Sequence, residues 1–185
     1  MEHSINRQIV SAIVIITSFV LYFLGRSVWC PAGDLMLWSF NVQSQHNSQH
    51  LLDWYTPSHI SHGLLICLLL RVVGSERLNT FGLSLCVLLE SGWEILENTD
   101  FIIQRYREAT MALDYFGDSV LNSLSDIGWC SLGFLCAARL KAWQVLAIFL
   151  FFELFTLAFI RDNLTLNVIM LIYPLDAIKT WQMGG

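Results

Sequence analysis

The chain has 185 residues, 55% of them hydrophobic and 14% charged, with a formal net charge of −5 and a mean hydropathy of +0.56. Soluble domains carry roughly 25% charged residues, so long apolar blocks at this composition indicate the membrane class and a single helical bundle over 1–185. With no basic run and no RNA-type motif, nucleic acid is excluded as a partner.

A membrane span needs roughly 20 mostly apolar residues. The first candidate runs over 8–25. Arg7 precedes it as in a signal peptide, but Ser27-Val28-Trp29-Cys30 has a Trp where a cleavage site needs a small residue, so a retained first helix is expected. A long outer loop follows over about 26–56, with Leu35–Phe40 suited to a membrane interface and a polar, His-rich stretch over Gln43–Asp53. The second segment, 57–73, opens on Thr56-Pro57, a cap followed by proline at the first helical position. The third, 80–98, can be capped by Asn79-Thr80. A second outer loop covers 99–116, and the fourth segment, 117–139, starts at Gly117-Asp118. The fifth is 142–161; a sixth, about 163–180, is interrupted by Pro174 and reads as a kinked span or a partly interfacial helix. The expected fold is all-α, an integral membrane bundle of five to six transmembrane helices.

Orientation is read from Lys and Arg in the loops. With the N-terminus cytoplasmic, Arg7, Arg71, Arg77, Arg139, Lys141 and Lys179 fall inside, and Arg26, Arg105, Arg107 and Arg161 outside. In a Gram-negative cell this orientation would turn the second group of ends toward the periplasm. Five cysteines, Cys67, Cys86, Cys130 and Cys136 in apolar segments and Cys30 in a loop, make neither a disulfide framework nor a CxxC zinc site. They read as small packing residues.

The polar residues gather at one end of each segment. His59 and His62 open the second, Glu90, Glu94 and Glu97 close the third, Asp118, Asn122 and Asp126 open the fourth, and Glu153 and Arg161 close the fifth. Successive spans alternate in direction, so all of these face one membrane side, the periplasmic one in this orientation. Glu90/94/97 and Asp118/Asn122/Asp126 each fall on one helical stripe. Glu90 and Asp126 lie about 12 Å in from their helix ends, too deep for a solvated terminus. Intramembrane ionisable residues are costly and are retained mainly where they function. For Asp118 a plain N-cap competes evenly, and for His46 and His50 water-exposed interfacial histidines are the ordinary reading.

Histidines and carboxylates from three helices resemble a metal site built inside a bundle. The expected ligands of a divalent ion are His59, His62, Glu90, Glu94, Asp118 and Asp126. His62, Glu94, Asp118 and Asp126 are the candidate catalytic residues, and Arg105, Arg107, Arg161 and Asn122 the candidates for holding substrate, arginine because it reads phosphate in a bidentate fashion. The ordinary alternative pairs Arg105 or Arg107 with Asp114 or Glu97, and Arg161 with Asp162 or Glu153. The spacing is not HExxH, and the fourth segment lacks the glycines and arginine of aspartate-rich lipid transferases. The chemistry this supports is a hydrolase or transferase acting on a membrane lipid or lipid-linked phosphate. A proton- or cation-coupled transporter, a lipid carrier, or a non-catalytic membrane subunit are the alternatives, and homo-oligomerisation stays open.

The strings SQHLLDWYTPSHISHG, ESGWEILENTDFIIQRYREAT, LDYFGDSVLNSLSDI and FIRDNLTLNVIMLIYPLDAI resemble a bacterial family of small inner-membrane proteins carrying a domain of unknown function. The likeness covers roughly residues 40–182. It implies a multi-pass cell-membrane protein and brings no activity or residue role with it. A slighter likeness, in polar residues at helix ends, is to VanZ-like membrane proteins.

Overall fold

A computed structural model describes residues 2–74 and 81–184. The Asn79-Thr80 cap, Glu76 and Arg77 lie outside the described residues. Among the described residues are eight helices and no strand: α1 Glu2–Phe23, α2 Thr56–Val73, α3 Gly82–Glu97, α4 Asp100–Ala109, α5 Val120–Ala137, α6 Ala142–Ile160, α7 Leu164–Ile172 and α8 Asp176–Gln182. The protein is an all-α membrane bundle, in which α1, α2, α5 and α6 are long and apolar enough to cross a membrane. The 16-residue α3 packs against α1, α2 and α5. Phe19 and Phe23 on α1, and Leu150, Phe151, Leu154 and Phe159 on α6, point outward, as helices in lipid require.

The central contact is between α2 and α5. A Cβ at Gly63 would overlap the Cys130 carbonyl oxygen and lie 2.6 Å from the Phe134 nitrogen. One at Gly133 would overlap the Ile60 carbonyl. Small residues at such crossings let membrane helices approach backbone to backbone. Leu64, Cys67, Leu70, Cys86, Cys130, Phe134, Ala137 and Val145 form an apolar core on one side of this crossing. The Cys86 and Cys130 sulfurs sit 3.5 Å apart within it, as packing thiols.

The helix starts differ from the sequence expectation. Asp53, not Thr56, caps α2: its Oδ1 accepts from the Tyr55 and Thr56 amides at 2.7 and 3.1 Å. Ser119, not Asp118, caps α5, its hydroxyl accepting from the Asn122 amide at 3.1 Å. The 99–116 stretch contains α4, capped by Thr99 and packed through Ile103, Tyr106 and Ala109. Its Arg, Gln and Glu residues hid an amphipathic helix whose polar face is solvated.

The last segment contains no helix long enough to be a candidate span. It breaks at Pro174 into α7 and α8, which fold back beside α4: Arg105 Nε donates to the Leu171 carbonyl at 2.9 Å and the Lys179 ammonium to the Glu108 carbonyl. Lys179 therefore lies at the same end of the bundle as Arg105 and Arg107 rather than with Arg139 and Lys141, and the expected six-to-four split of basic residues becomes five to five. The Glu153 carboxylate accepts the Leu164 and Thr165 amides at 3.0 and 3.1 Å, capping α7. Arg161 ends α6 in the left-handed region at φ 56°, held by its bond to the Trp181 carbonyl at 2.9 Å. Asp162, just beyond, accepts from the Tyr55 hydroxyl at 3.3 Å and Gln182 at 3.0 Å.

Two outcomes follow from this packing. Gly133→Ala should lower stability by about 1–3 kcal/mol through overpacking, whereas Gly128→Ala on the same helix, with open space around it, should be neutral; thermal unfolding in detergent compares them, and equal melting temperatures would contradict the close crossing. Burial raises the Asp162 carboxyl from the ordinary 3.8 to about 6. A raised acid favours the folded state while protonated, so its contribution is full below about pH 4 and lost as pH rises through about 6. Asp162→Asn should remove roughly 1–3 kcal/mol of the stability lost over that window, seen as a flatter dependence of melting temperature on pH, and superimposable pH curves for the two proteins would refute it.

Candidate functional site

The crossing at Gly63 and Gly133 places the first turns of α2 against the start of α5 and the end of α3. His59 is the hub. Its Nδ1 lies 2.7 Å from Glu90 Oε1 and 3.4 Å from Glu94 Oε1, and its Nε2 lies 3.7 Å from Asp126 Oδ2. His62 Nδ1 meets the same Glu90 carboxylate at 2.9 Å. His62 reaches Glu90 alone, while the His59 ring bridges α3 and α5. A histidine that gives one ring N–H to a carboxylate presents its other nitrogen as a lone pair, the usual arrangement behind a metal ligand.

Donor atoms of His59, Glu94 and Asp126 lie within 4.8 Å of one another, as do those of His59, His62 and Glu90, and of Glu94, Glu97 and Asp118. These clusters could hold a metal ion. Glu94 is 0% exposed and, among the described residues, neither of its oxygens has a hydrogen-bond partner; Asp126 Oδ1 is likewise buried without one. Unpaired buried acceptors of this kind cost several kcal/mol unless a cation or proton neutralises them.

Asp118 is already engaged. Its Oδ2 accepts from Asn98 Nδ2 at 2.8 Å, its Oδ1 from the Tyr115 hydroxyl at 2.9 Å, and its amide donates to Asn98 Oδ1 at 2.7 Å. Burial raises its carboxyl to about 6 despite those two donors. Gly117, at φ 93°, turns the chain into this clasp, where a side chain would strike Asn98 and Arg26.

A cavity of about 360 Å³ opens onto the cluster. His59, His62, Glu90, Glu97, Asp118 and Asp126 line its polar end, and Leu65, Ile66, Leu89, Trp93, Leu164 and Val168 its apolar walls. Tyr55, Tyr106 and Tyr115 also line it. The sequence reading did not single these tyrosines out; their spacing to the acids emerges only when α4 and the Asp53 cap fold over the site.

The residues expected to hold substrate are elsewhere. Arg105 and Arg161 bond to carbonyls of α7 and α8, and Arg107 Nε donates to the Tyr115 carbonyl at 2.5 Å. Asn122 donates to the His50 carbonyl at 2.6 Å. None of the four lines the cavity. The reason is shared: each guanidinium or amide satisfies an open backbone carbonyl where a helix or loop ends at this end of the bundle. Nor do these arginines pair with Glu97, Asp114, Asp162 or Glu153. Among the described residues the Arg–carboxylate pair is Arg26 with the exposed Asp100, at 3.7 Å.

Comparison with known proteins agrees on family and is silent on activity. A family described as "Protein of unknown function (DUF2585)" matches residues 21–184. A UPF0314 protein of Sphingopyxis alaskensis is 50% identical over 177 residues, 96% of this chain and 94% of that protein. A UPF0314 protein of Rhizobium johnstonii is 50% identical over 173 residues, 94% and 89% of the two chains, and one of Paracoccus denitrificans is 46% identical over 170 residues, 92% and 88%. No solved structure matches. With most of its length matched at this identity, the chain belongs to the DUF2585 family of UPF0314 proteins.

Proposed function

We propose that the protein is a metal-dependent membrane enzyme, a hydrolase or transferase whose substrate is a membrane lipid or lipid-linked phosphate. The observation that carries this reading is the Glu94 carboxylate, wholly buried, without a donor, and facing His59 and Asp126. His59, Glu94 and Asp126 would hold the ion in this reading, Glu90 orients both imidazoles, and Asp118, held by Asn98 and Tyr115, forms part of the cavity lining beside them. Imidazole with carboxylates admits Mn, Fe or Zn. When bound, a divalent ion supplies a Lewis acid for a phosphoryl or carbonyl oxygen. His62, on the cavity wall, takes the proton of an attacking water or hydroxyl and returns it to the leaving oxygen as the ester bond breaks. The apolar walls Leu65, Ile66, Leu89 and Trp93 suit an acyl or prenyl chain, and the volume lies within the usual range of roughly 300–1,000 Å³ for ligand pockets.

A coupled transporter is disfavoured by the apolar layer of Leu64, Cys67, Leu70, Cys86 and Phe134, which packs the bundle on the far side of the cluster. A purely structural role is disfavoured by the open cavity and by buried acids that, among the described residues, no arginine neutralises. The location proposed is the bacterial inner membrane, N-terminus cytoplasmic and cavity toward the periplasm. It rests on the basic residues of the two short connections in the sequence, Arg71 and Arg77 around the junction of the second and third segments and Arg139 and Lys141 around that of the fourth and fifth, since short connections weigh most in orientation.

Reporters test the sidedness: one fused after Lys141 should read cytoplasmic and one inserted near Arg107 periplasmic, and the reverse result moves the substrate to the inner leaflet. For the chemistry, protein purified in mild detergent without chelator should hold bound Mn, Fe or Zn by elemental analysis. Glu94→Gln and Asp126→Asn should each lose about one equivalent relative to wild type, whereas Asp114→Asn, at an exposed position, should not. Incubated with phosphatidylglycerol–phosphatidylethanolamine vesicles, wild type should release or transfer a lipid fragment detectable by mass spectrometry, at least about 100-fold faster than Glu94→Gln. Metal retained by both variants would remove the cavity site, and metal lost without any lipid turnover by wild type would leave a binding protein.

A further inference from the structure

The segment between α1 and α2 contains no helix and, apart from an isolated bridge between Trp38 and Leu52, no strand pairing. Four of its side chains nonetheless converge. His46 Nδ1 lies 2.9 Å from Asp34 Oδ2, and His50 Nε2 lies 2.8 Å from Asp34 Oδ1. The Cys30 sulfur is 3.4 Å from both Asp34 Oδ2 and His46 Nδ1. One donor atom from each of the four lies within 4.8 Å of all the others. None of them lines the cavity. We propose that Cys30, Asp34, His46 and His50 form a second metal site, for a zinc-class divalent ion, which locks the outer segment over α5.

The geometry suits such an ion. Zinc bonds of roughly 2.0–2.3 Å in a tetrahedron give ligand-to-ligand edges of about 3.3–3.8 Å. Cys30, Asp34 Oδ2 and His46 already lie 2.9–3.4 Å apart, His50 lies 2.8 Å from the other Asp34 oxygen, and the remaining pairs lie within 4.8 Å, so shifts of up to about 1 Å would bring the four to those edges. One thiolate, two imidazoles and one carboxylate form a borderline-soft set, which selects zinc or cobalt over magnesium and calcium. The cavity set has no sulfur, so the two sites differ in the metal they prefer.

His50 supplies an independent argument. Its side chain is 0% exposed, and its Nδ1 lies 3.2 Å from the His46 carbonyl oxygen. A carbonyl only accepts, so Nδ1 carries the proton. In the neutral ring, Nε2 then aims a lone pair at a carboxylate oxygen 2.8 Å away. Two acceptors at that distance repel unless a cation joins them or the ring takes a second proton. A backbone carbonyl on the far nitrogen is also what fixes the tautomer of a metal-bound histidine.

Position gives the site its role. The Ser48 carbonyl accepts from the Ser119 amide at 3.1 Å, the Gln49 carbonyl from the Ser119 hydroxyl at 3.0 Å, and the His50 carbonyl from Asn122 at 2.6 Å. Asn47, Ser48 and Asp53 form part of the cavity lining. An ion on Cys30, Asp34, His46 and His50 ties both ends of the segment together and fixes this roof.

Cobalt reports the site directly. Full-length protein stripped of metal in mild detergent and titrated with Co²⁺ should develop tetrahedral d–d bands and a near-ultraviolet thiolate-to-cobalt band. Zinc should displace both. Cys30→Ser should abolish the thiolate band and weaken binding at this site about tenfold or more. Cys136→Ser, which removes an exposed thiol, should keep the band. So should Glu94→Gln, so that loss of the cavity site and loss of this one are told apart. X-ray absorption of zinc-loaded wild type needs no variant and should show one sulfur among nitrogen and oxygen neighbours. An all-nitrogen/oxygen shell, the absence of a thiolate band in wild type, or a band that survives Cys30→Ser would overturn the proposal. The tetrad would then be an imidazolium–carboxylate pair beside a thiol.

Discussion

The approach of α2 to α5 through Gly63 and Gly133 governs the rest of the architecture. With both side chains reduced to hydrogen, each backbone meets the other's carbonyls, at Ile60 and Cys130. One turn along α2 from Gly63 is His59, and two turns along α5 from Gly133 is Asp126. The crossing therefore sets the 3.7 Å separation of His59 Nε2 and Asp126 Oδ2. A wider crossing would let water between them and turn a buried cluster into a solvated groove. On the other side of the same crossing, Leu64, Cys67 and Phe134 close into an apolar layer. One packing decision thus produces a polar end and a sealed end.

Much of this was legible in the sequence. Alternating polar ends on successive apolar segments follow from membrane thickness and helical rise, and they located His59, Glu90, Glu94 and Asp126 at one face. The five apolar segments match α1, α2, α3, α5 and α6 to within a few residues at most ends, α1 excepted, which begins six residues earlier. What was not legible depends on partners distant in sequence. Asp118 reads locally as a cap, but Asn98, 20 residues away, and Tyr115 claim its carboxylate. Glu153 reads as one more site acid, yet it accepts two amides of a helix that begins 11 residues later. Arginines near acids suggest phosphate or ion pairs; here the carbonyls at helix ends are nearer. The Cys30 and His50 cluster was missed because residues in a loop lack the period that reveals a helical stripe, and because each residue taken singly has an ordinary explanation.

The placement of the basic residues decides the electrostatic character of the cavity. Arg105 and Lys179 join α4 to α7 and α8, Arg161 closes α6 onto α8, and Arg107 holds the chain at Tyr115. All four partners are carbonyl oxygens. This frame brings Tyr106, Leu164, Asn167 and Val168 over the cavity mouth. It does so without delivering a positive charge to Glu94 or Asp126, because a guanidinium bonded to a carbonyl at the rim is oriented away from the interior. Two imidazoles remain to face Glu90, Glu94, Glu97, Asp118 and Asp126, and both bind Glu90 first. The site's excess of acid over base is therefore a property of how the lid is built. Replacing a lid arginine would loosen the lid before it altered the charge at the cluster, whereas a cation or proton entering the cavity acts on that charge directly. That separation between what holds the cavity and what balances it is the condition under which a membrane-embedded site can exchange an ion or a substrate without unfolding.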